Sequence, residues 1–203
     1  MHEIILIGAG GHARSCIDVI ELSNQFKIVG LVEKVDKTGQ KNLGYPIIGI
    51  DDDLPELRQK YRYALVTVGQ IKSPDVRMRL FSRLQELNFH MPPIISPRAY
   101  ISKHAQIGDG SIVMHDAIVN ANARIGRNCI VNSKALIEHD TEVGDHCHIA
   151  TAAILNGEVV VGNKSFIGSG AVSRQSISIG SNCVIGAGVI INMNVESNKV
   201  IKN

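Results

Sequence analysis

The side chains best suited to chemistry in this chain stand together at Glu138-His139-Asp140, followed closely by His146-Cys147-His148. An imidazole with a carboxylate next to it can have its tautomer fixed and its basicity raised. That pairing suits a general base working near neutral pH. A second chemistry is open to the same stretch, since His139, His146 and His148 could supply three nitrogen ligands to zinc, although no further acidic ligands cluster there. Cys147 is a poor nucleophile candidate, and the four cysteines contain no Cys-x-x-Cys pair that would suggest metal or redox work. The other constellation is Gly8-Ala9-Gly10-Gly11-His12-Ala13, directly after the apolar run Ile4-Ile5-Leu6-Ile7. Its spacing fits the phosphate-binding turn between a first strand and a first helix. There, bare backbone lets an anion approach the amides of the helix N-terminus. Glu33 follows at the end of the next apolar run, where a dinucleotide fold would hold a ribose.

Two sets of elements must position these groups. From residue 95 to residue 196 an aliphatic residue returns every six places, from Ile95, Ile101 and Ile107 through Ile137, Val143 and Ile149 to Ile191. Sixteen of seventeen expected positions are Ile, Val or Leu, and the single gap is Ser173. Four places behind runs, from Ala99 to Ala153, a column of small residues, among them Ser111, Cys129, Ala135, Thr141 and Cys147. No helical or simple strand period gives this; it is the hexapeptide pattern of a parallel β-helix, in which large and small inward residues fill a narrow prism. Ile-Gly or Val-Gly recurs at 107–108, 125–126, 143–144, 161–162 and 179–180, in steps of eighteen. Three hexapeptides therefore make one coil, and residues eighteen apart stack at about the inter-strand spacing of 4.8 Å. The glycine marks a corner where a side chain or a left-handed backbone would be hard to accommodate. In this frame Cys129, Cys147 and Cys183 point inward, while His139, two places beyond inward Ile137, points outward near a corner. His148 is also off the inward columns.

Residues 1–94 have another texture. Strands are expected at Ile4–Ile7, Ile28–Val32 and Tyr63–Val68, with a short extended piece at Tyr45–Ile50. Helices are expected after the glycine loop, over Asp51–Lys60 with Pro55 in the first turn, and after Ser73-Pro74-Asp75, an N-cap with proline and an acidic first turn. The last helix should bury Val76, Leu80, Phe81, Leu84 and Leu87 and carry Arg77, Arg79 and Arg83 near its polar side. Alternating strands and helices predict a small Rossmann-like parallel sheet. Three or four strands are half of what a dinucleotide needs, so a mononucleotide or nucleotide sugar suits the loop better than NAD.

Composition sets the remaining bounds. A chain of 203 residues with 44% hydrophobic and 20% charged residues is an ordinary globular protein of one large or two modest domains. A net charge of +2 gives no strong pull toward nucleic acid or membrane. No apolar run reaches the length of a membrane span and no leader-like h-region is present, so a cytoplasmic location is expected.

Several stretches together carry a family resemblance: Ile7-Gly8-Ala9-Gly10-Gly11-His12, Val68-Gly69-Gln70 with Arg77, Ile94-Ile95-Ser96-Pro97-Arg98-Ala99, Ile137-Glu138-His139-Asp140 and Val143-Gly144-Asp145-His146-Cys147-His148-Ile149. Across nearly the whole chain the sequence resembles the bacterial sugar O-acyltransferases of the sialic-acid O-acetyltransferase family. That family includes N-acetyltransferases acting on UDP-4-amino-4,6-dideoxy sugars in surface-glycan and glycoprotein sugar biosynthesis. The resemblance implies an α/β nucleotide-sugar-binding domain over residues 1–94. It also implies an all-β left-handed parallel β-helix acetyltransferase domain over residues 95–203, a homotrimer, and acetyl-CoA as co-substrate without a metal. It makes His139 the base, Asp140 its orienting carboxylate and Glu138 a possible substitute. Gly10, Gly11, His12 and Gly69 would meet the sugar nucleotide, with Glu33 and Lys34 near its nucleoside. His148, Gly157, Ser169, Gly186 and Ala187 would line the acetyl-CoA groove. The chain departs from the family in lacking a Gly-x-Pro-Ala segment after the last coil, where Lys199-Val200-Ile201-Lys202-Asn203 stands instead. O-acetylation of a sialic-acid-like sugar is the nearest alternative, and a γ-type carbonic anhydrase or a non-catalytic β-helix scaffold the alternatives from other classes.

Overall fold

A computed structural model describes residues 1–71 and 73–202; Lys72, and Asn203 at the end of the closing Lys199–Asn203 stretch, lie outside the described residues. The chain divides into two units, one of residues 1–69 and 75–92, the other of residues 70–74 and 93–203.

In the first unit, β1 (His2–Ile7), β2 (Phe26–Glu33), β4 (Tyr45–Ile50) and β5 (Tyr63–Val66) form a parallel sheet in the order β4-β2-β1-β5, and the two-residue β3 (Lys41–Asn42) adds an antiparallel edge to β4. The sheet thus has five strands, the fifth a short edge whose two residues carry no apolar pattern. The central strand is buried at Ile4, Ile5, Leu6 and Ile7, as a parallel strand covered on both faces should be. Helix α1 (Gly11–Ser23) buries Ala13, Cys16, Ile17, Val19 and Ile20 and ends at Asn24 in the left-handed conformation. Helix α2 (Leu54–Lys60) has its proline in the first turn, and α3 (Asp75–Glu86) begins directly after Pro74.

Two expectations for α3 fail. Val76 is exposed, and Arg77, expected near the polar side, is among the most buried side chains in the protein. Its guanidinium donates to the carbonyls of Val66 at 2.6 Å and Val68 at 2.9 Å, at the end of β5. A strand that ends inside a core leaves acceptors that need donors, and a long side chain with five N–H groups supplies them. Burial pushes the Cys16 thiol up to about 12, despite the opposing charge of Arg77.

The second unit is the left-handed parallel β-helix. Two-residue strands stack into three faces of six, five and seven strands. We call them the Tyr100 face (outward Tyr100, Ile118, Leu136, Ile154, Val172, Ile190), the Arg124 face (outward Gln106, Arg124, Glu142, Val160, Ser178) and the Ile130 face (outward Ile94, Ile112, Ile130, His148, Phe166, Val184, Val200). Strands eighteen apart pair in register, for example Ile118 with Leu136 and Ile130 with His148. The last turn is two residues shorter, so that Val195 bridges Ile179 and Val200 pairs with Val184. The inward columns form one continuous core from Val113 to Val195.

Polar groups inside the prism follow the same repeat. Ser111 Oγ donates to the carbonyl of Gly126 at 2.7 Å, and Ser165 Oγ to that of Gly180 at 2.8 Å. The thiols of Cys129 and Cys147 donate to the Gly144 and Gly162 carbonyls at 3.1 and 3.2 Å. The small column thus satisfies corner carbonyls one coil on, which buried acceptors require. The corner glycines prove to need space rather than a left-handed backbone. A Cβ at Gly126 would lie 2.7 Å from the backbone of Gly144 and Asp145. The left-handed residues come three places after an inward aliphatic residue and are mostly not glycine: Asn122, Asn128, Lys134, Asp140, His146, Ala152, Glu158 and Lys164 all have φ between 54° and 66°. From Asn128 onward these residues aim the N–H at the carbonyl nineteen residues back, as in Asp140 to Ala121 at 3.1 Å and Glu158 to His139 at 3.0 Å. These bonds extend the inter-coil ladder around the corners and offset the cost of the left-handed conformation.

Candidate active site

His139 stands on the corner that follows the Tyr100 face, two residues beyond the strand Leu136–Ile137, with its side chain 59% exposed. Its Nδ1 meets Asp140 Oδ2 at 2.8 Å. The other carboxylate oxygen, Oδ1, accepts from Asn122 Nδ2 at 2.7 Å. A charged carboxylate facing Nδ1 makes that nitrogen the protonated one, so Nε2 carries the lone pair. The Asp140 hydrogen bond, helped by the charges of Asp140, Glu138 and Glu158, raises the ring above its ordinary value of about 6.5. Asp140 is held below the usual carboxylate range, first by the Asn122 amide and then by His139.

The backbone under this pair is locked on both sides by the corner ladder, Asp140 N–H to Ala121 below and Glu158 N–H to the His139 carbonyl above. Gly157 stacks eighteen residues on from His139, and the imidazole lies over it: a Cβ there would fall 2.7 Å from Cε1 and 2.8 Å from Nε2. Glu138 is turned aside, its Oε2 accepting from Asn120 Nδ2 at 2.8 Å and, more weakly, from the His139 N–H at 3.3 Å. Asn120 and Asn122 were missed in the sequence; their signal is the offset of eighteen from Glu138 and Asp140.

The remaining predicted residues lie elsewhere on the prism. His148 belongs to the Ile130 face and is only 7% exposed. Its Nδ1 donates to the carbonyl of Gln70, Nε2 faces Asn132 Nδ2 at 3.3 Å, and the ring packs edge-on against Phe166 at 5.2 Å between centroids. Gln70 also donates to the His146 carbonyl at 3.1 Å. The His146 ring faces Asn128 Nδ2 at 2.9 Å. The three-histidine zinc reading therefore finds no geometry, and among the described residues no group of three or more His, Cys, Asp or Glu is gathered as a metal site requires. Ser169 and Ala187 are exposed, and with Gly186 they occupy the corner after the Ile130 face rather than that of His139.

In the first unit, Gly8 has φ of +110°, and a Cβ there would press on Val68, so the turn requires glycine. Gly8 is pinned by its N–H to the Val32 carbonyl at 2.8 Å and by Thr67 Oγ1 donating to its carbonyl at 2.6 Å. Gly10 and Gly11, at the start of α1, have nothing within 4 Å of a built Cβ. His12 packs against Gly69, at 3.4 Å from the position of its Cβ. A pocket of about 180 Å³ beside the loop is lined by Ala9, Arg14, Glu33, Lys37, Lys41 and Asn42, among others. Asn42 ties it together, donating to the Ala9 carbonyl at 2.8 Å and accepting from Arg14 Nε at 3.2 Å. Glu33 accepts from the Lys34 N–H at 2.9 Å and lies 3.7 Å from Lys37 Nζ. Arg14 and Asn42 were not singled out in the sequence, because only the fold brings residues 28 apart together.

Comparison with known proteins agrees with both units. Residues 3–84 match the model of the PglD N-terminal domain, residues 104–139 that of the bacterial transferase hexapeptide, and residues 158–192 that of the hexapeptide repeat of succinyl-transferase. A curated relative, the uncharacterized protein L142 of Acanthamoeba polyphaga mimivirus, is 33% identical over 110 residues, 54% of this chain but only 21% of that protein. The perosamine N-acetyltransferase of Caulobacter crescentus, solved with CoA and GDP-perosamine, superposes with a TM-score of 0.92 at 27% identity, over 98% of this chain and 93% of that one. The acetyltransferase domain of PglB from Neisseria gonorrhoeae FA1090, solved with acetyl coenzyme A, gives a TM-score of 0.91 at 30% identity over 100% of this chain and 96% of that one. A likeness of that extent, on a PglD-type first unit and a hexapeptide second unit, places the chain among the hexapeptide-repeat sugar acetyltransferases.

Proposed function

We propose that the chain transfers the acetyl group of acetyl-CoA to the amino group of a nucleotide-linked amino sugar, with His139 as general base. The observation that carries this is the His139–Asp140 pair, which leaves Nε2 basic on a ring exposed at a locked corner. The neutral sugar amine attacks the thioester carbonyl, forming the C–N bond and a tetrahedral oxyanion. His139 Nε2 takes the proton that the nitrogen sheds. Collapse breaks the C–S bond, and the proton passes to the departing CoA thiolate. Asp140 keeps Nδ1 protonated throughout and stabilises the imidazolium, and a main-chain amide steadies the oxyanion. No covalent acyl-enzyme is needed.

Residues 1–94 serve as the sugar-nucleotide domain, with Gly10, Gly11 and His12 at the diphosphate, Gly69 beside His12, and Glu33 and Lys34 toward the nucleoside. Residues 95–203 serve as the acetyltransferase domain, with His148, Gly157, Ser169, Gly186 and Ala187 along the acetyl-CoA groove. The working unit is a homotrimer. What supports this is the outward column of the Tyr100 face, apolar in every member, with Tyr100, Ile118 and Ile190 exposed at 60%, 38% and 76%. His139 stands at the edge of that face, where a neighbouring copy would close a pocket over it. Both substrates are cytoplasmic metabolites, and the reaction is placed there.

The acceptor is a 4-amino-4,6-dideoxyhexose carried on UDP; the GDP-perosamine in the Caulobacter structure makes a GDP-linked sugar the second acceptor to try. The deciding experiment incubates the protein with acetyl-CoA and UDP-, GDP- and CMP-linked amino sugars, then reads acetylated product by mass spectrometry. Acetylation of one amino sugar at its nitrogen is expected. Modification of a hydroxyl instead, or no CoA release with any acceptor, would overturn the reading.

A further inference from the structure

Ser173, the one gap in the aliphatic column, is fully buried where every other member is Ile, Val or Leu. It lies on the Tyr100 face, one coil beyond the strand that leads into Gly157. On this face the N–H after each strand donates to the carbonyl seventeen residues on: Asn120 to Ile137 at 2.9 Å, Glu138 to Leu155 at 2.9 Å, Arg174 to Ile191 at 2.7 Å. Asn156 breaks the rule. Its N–H donates to Ser173 Oγ at 3.0 Å, and its side-chain amide takes the Ser173 carbonyl instead. Strand pairing here shrinks to Ile154 with Val172. The Asn156 carbonyl in turn accepts from Thr141 Oγ1 at 3.0 Å, and Thr141 follows Asp140. Asn156 is therefore held at its amide, its side chain and its carbonyl, and the next residue is Gly157, on which the His139 ring rests.

Resting on the reading of His139 as the base, we propose that Ser173 is a positioning residue for it. By drawing the Asn156 N–H onto its hydroxyl, Ser173 sets the Gly157 backbone at the depth that seats the imidazole. An aliphatic residue at 173 has no acceptor on its side chain, so the ordinary ladder bond would return and Gly157 would shift. A break in a local rule beside a functional group is where such a compromise is expected.

The test compares Ser173→Ala, Ser173→Thr and Ser173→Val in the full chain. Ser173→Ala should lower kcat about tenfold, as a small misplacement of a base does, with both KM values within about twofold and Tm close to wild type. Ser173→Thr keeps the acceptor and should retain at least about half of kcat. Ser173→Val completes the aliphatic column and should lose activity while keeping or raising Tm. Wild-type kcat in Ser173→Ala would overturn the proposal. A substrate-free readout separates it from the proposed function: the His139 ring resonances, followed by NMR across pH. They should move in Ser173→Ala and return in Ser173→Thr, even if no acceptor sugar is ever found; unmoved resonances would sink the positioning role.

Discussion

Glycine does opposite work at the β-helix corners and in the loop before α1. At the corners of the β-helix, Gly108, Gly126 and Gly162 leave out a Cβ that would sit 2.5–2.8 Å from the backbone of the next coil. In the loop before α1, Gly10 and Gly11 leave out a Cβ that would meet nothing within 4 Å. The first kind of vacancy is consumed by the protein's own packing; the second is open to a visitor. Gly157 is a third case, since the space it leaves is taken by the ring of His139. Where the missing atom would go thus differs among the corner, the loop and the seat under His139, a difference that spacing in the sequence does not give.

The sharpest test of this division is His139→Ala, which removes the group resting on Gly157 without touching an inward column. Kcat should fall by about 10²–10⁴, roughly 3–5 kcal/mol of barrier, with KM values little changed. Thermal unfolding should stay near wild type, and more than about a tenth of wild-type kcat remaining would remove His139 from the role of base. Gly126→Ala should do the reverse. Overpacking against backbone that cannot move aside should cost about 2–3 kcal/mol of stability, read by denaturant unfolding; an unchanged midpoint would show that the corner is softer than its spacing implies. Gly11→Val should leave the fold intact and raise the sugar-nucleotide KM about tenfold, with acetyl-CoA affinity nearly unaffected; equal weakening of both substrates would break the assignment of the two units.

The smallest effect concerns pH. The proposed reaction needs neutral His139, so kcat should rise with pH through the pKa of the ring, and the Asp140 contact places that limb above about 6.5. Asp140→Asn removes the carboxylate charge, lowers the ring's pKa and should move the limb to more acidic pH, while the plateau drops by less than in His139→Ala. A limb that stays in place would mean that Asp140 does not hold Nδ1.

The prism was legible because its rule is one-dimensional: a six-residue period fixes which residues face inward, and Ile137, Cys147 and Ile149 are buried accordingly. The left-handed corners were not, because Asn, Asp, Lys, His, Ala and Glu all occupy them and the common cause is an N–H aimed nineteen residues back. The outward direction of His139 could be read from the frame, but the Asn122 and Gly157 contacts depend on stacking eighteen apart. Arg77 was misread because helical periodicity sorts by polarity, whereas its place is set by the carbonyls of Val66 and Val68. His148 shows the same limit: off the inward columns, yet covered by the Gln70 carbonyl and Phe166. The gap at Ser173 was plain, but its exchange of partners with Asn156 could not be inferred from letters.

The thiols inside the prism have a use beyond filling space. Cys129, Cys147 and Cys183 sit at successive heights on one inner column, each buried and donating to a corner carbonyl on a later coil. In a stacked repeat protein each coil is held only by its neighbours, so an end coil lacks one of its two interfaces, and a buried thiol reacts only when its own coil has opened. Exposed to a thiol reagent under native conditions, the three should be labelled in the order in which their coils fray, with Cys183 first if the shortened last turn is the weak end. The chain thus carries its own depth gauge, in which peptide mapping against time would record how far along the axis each opening travels.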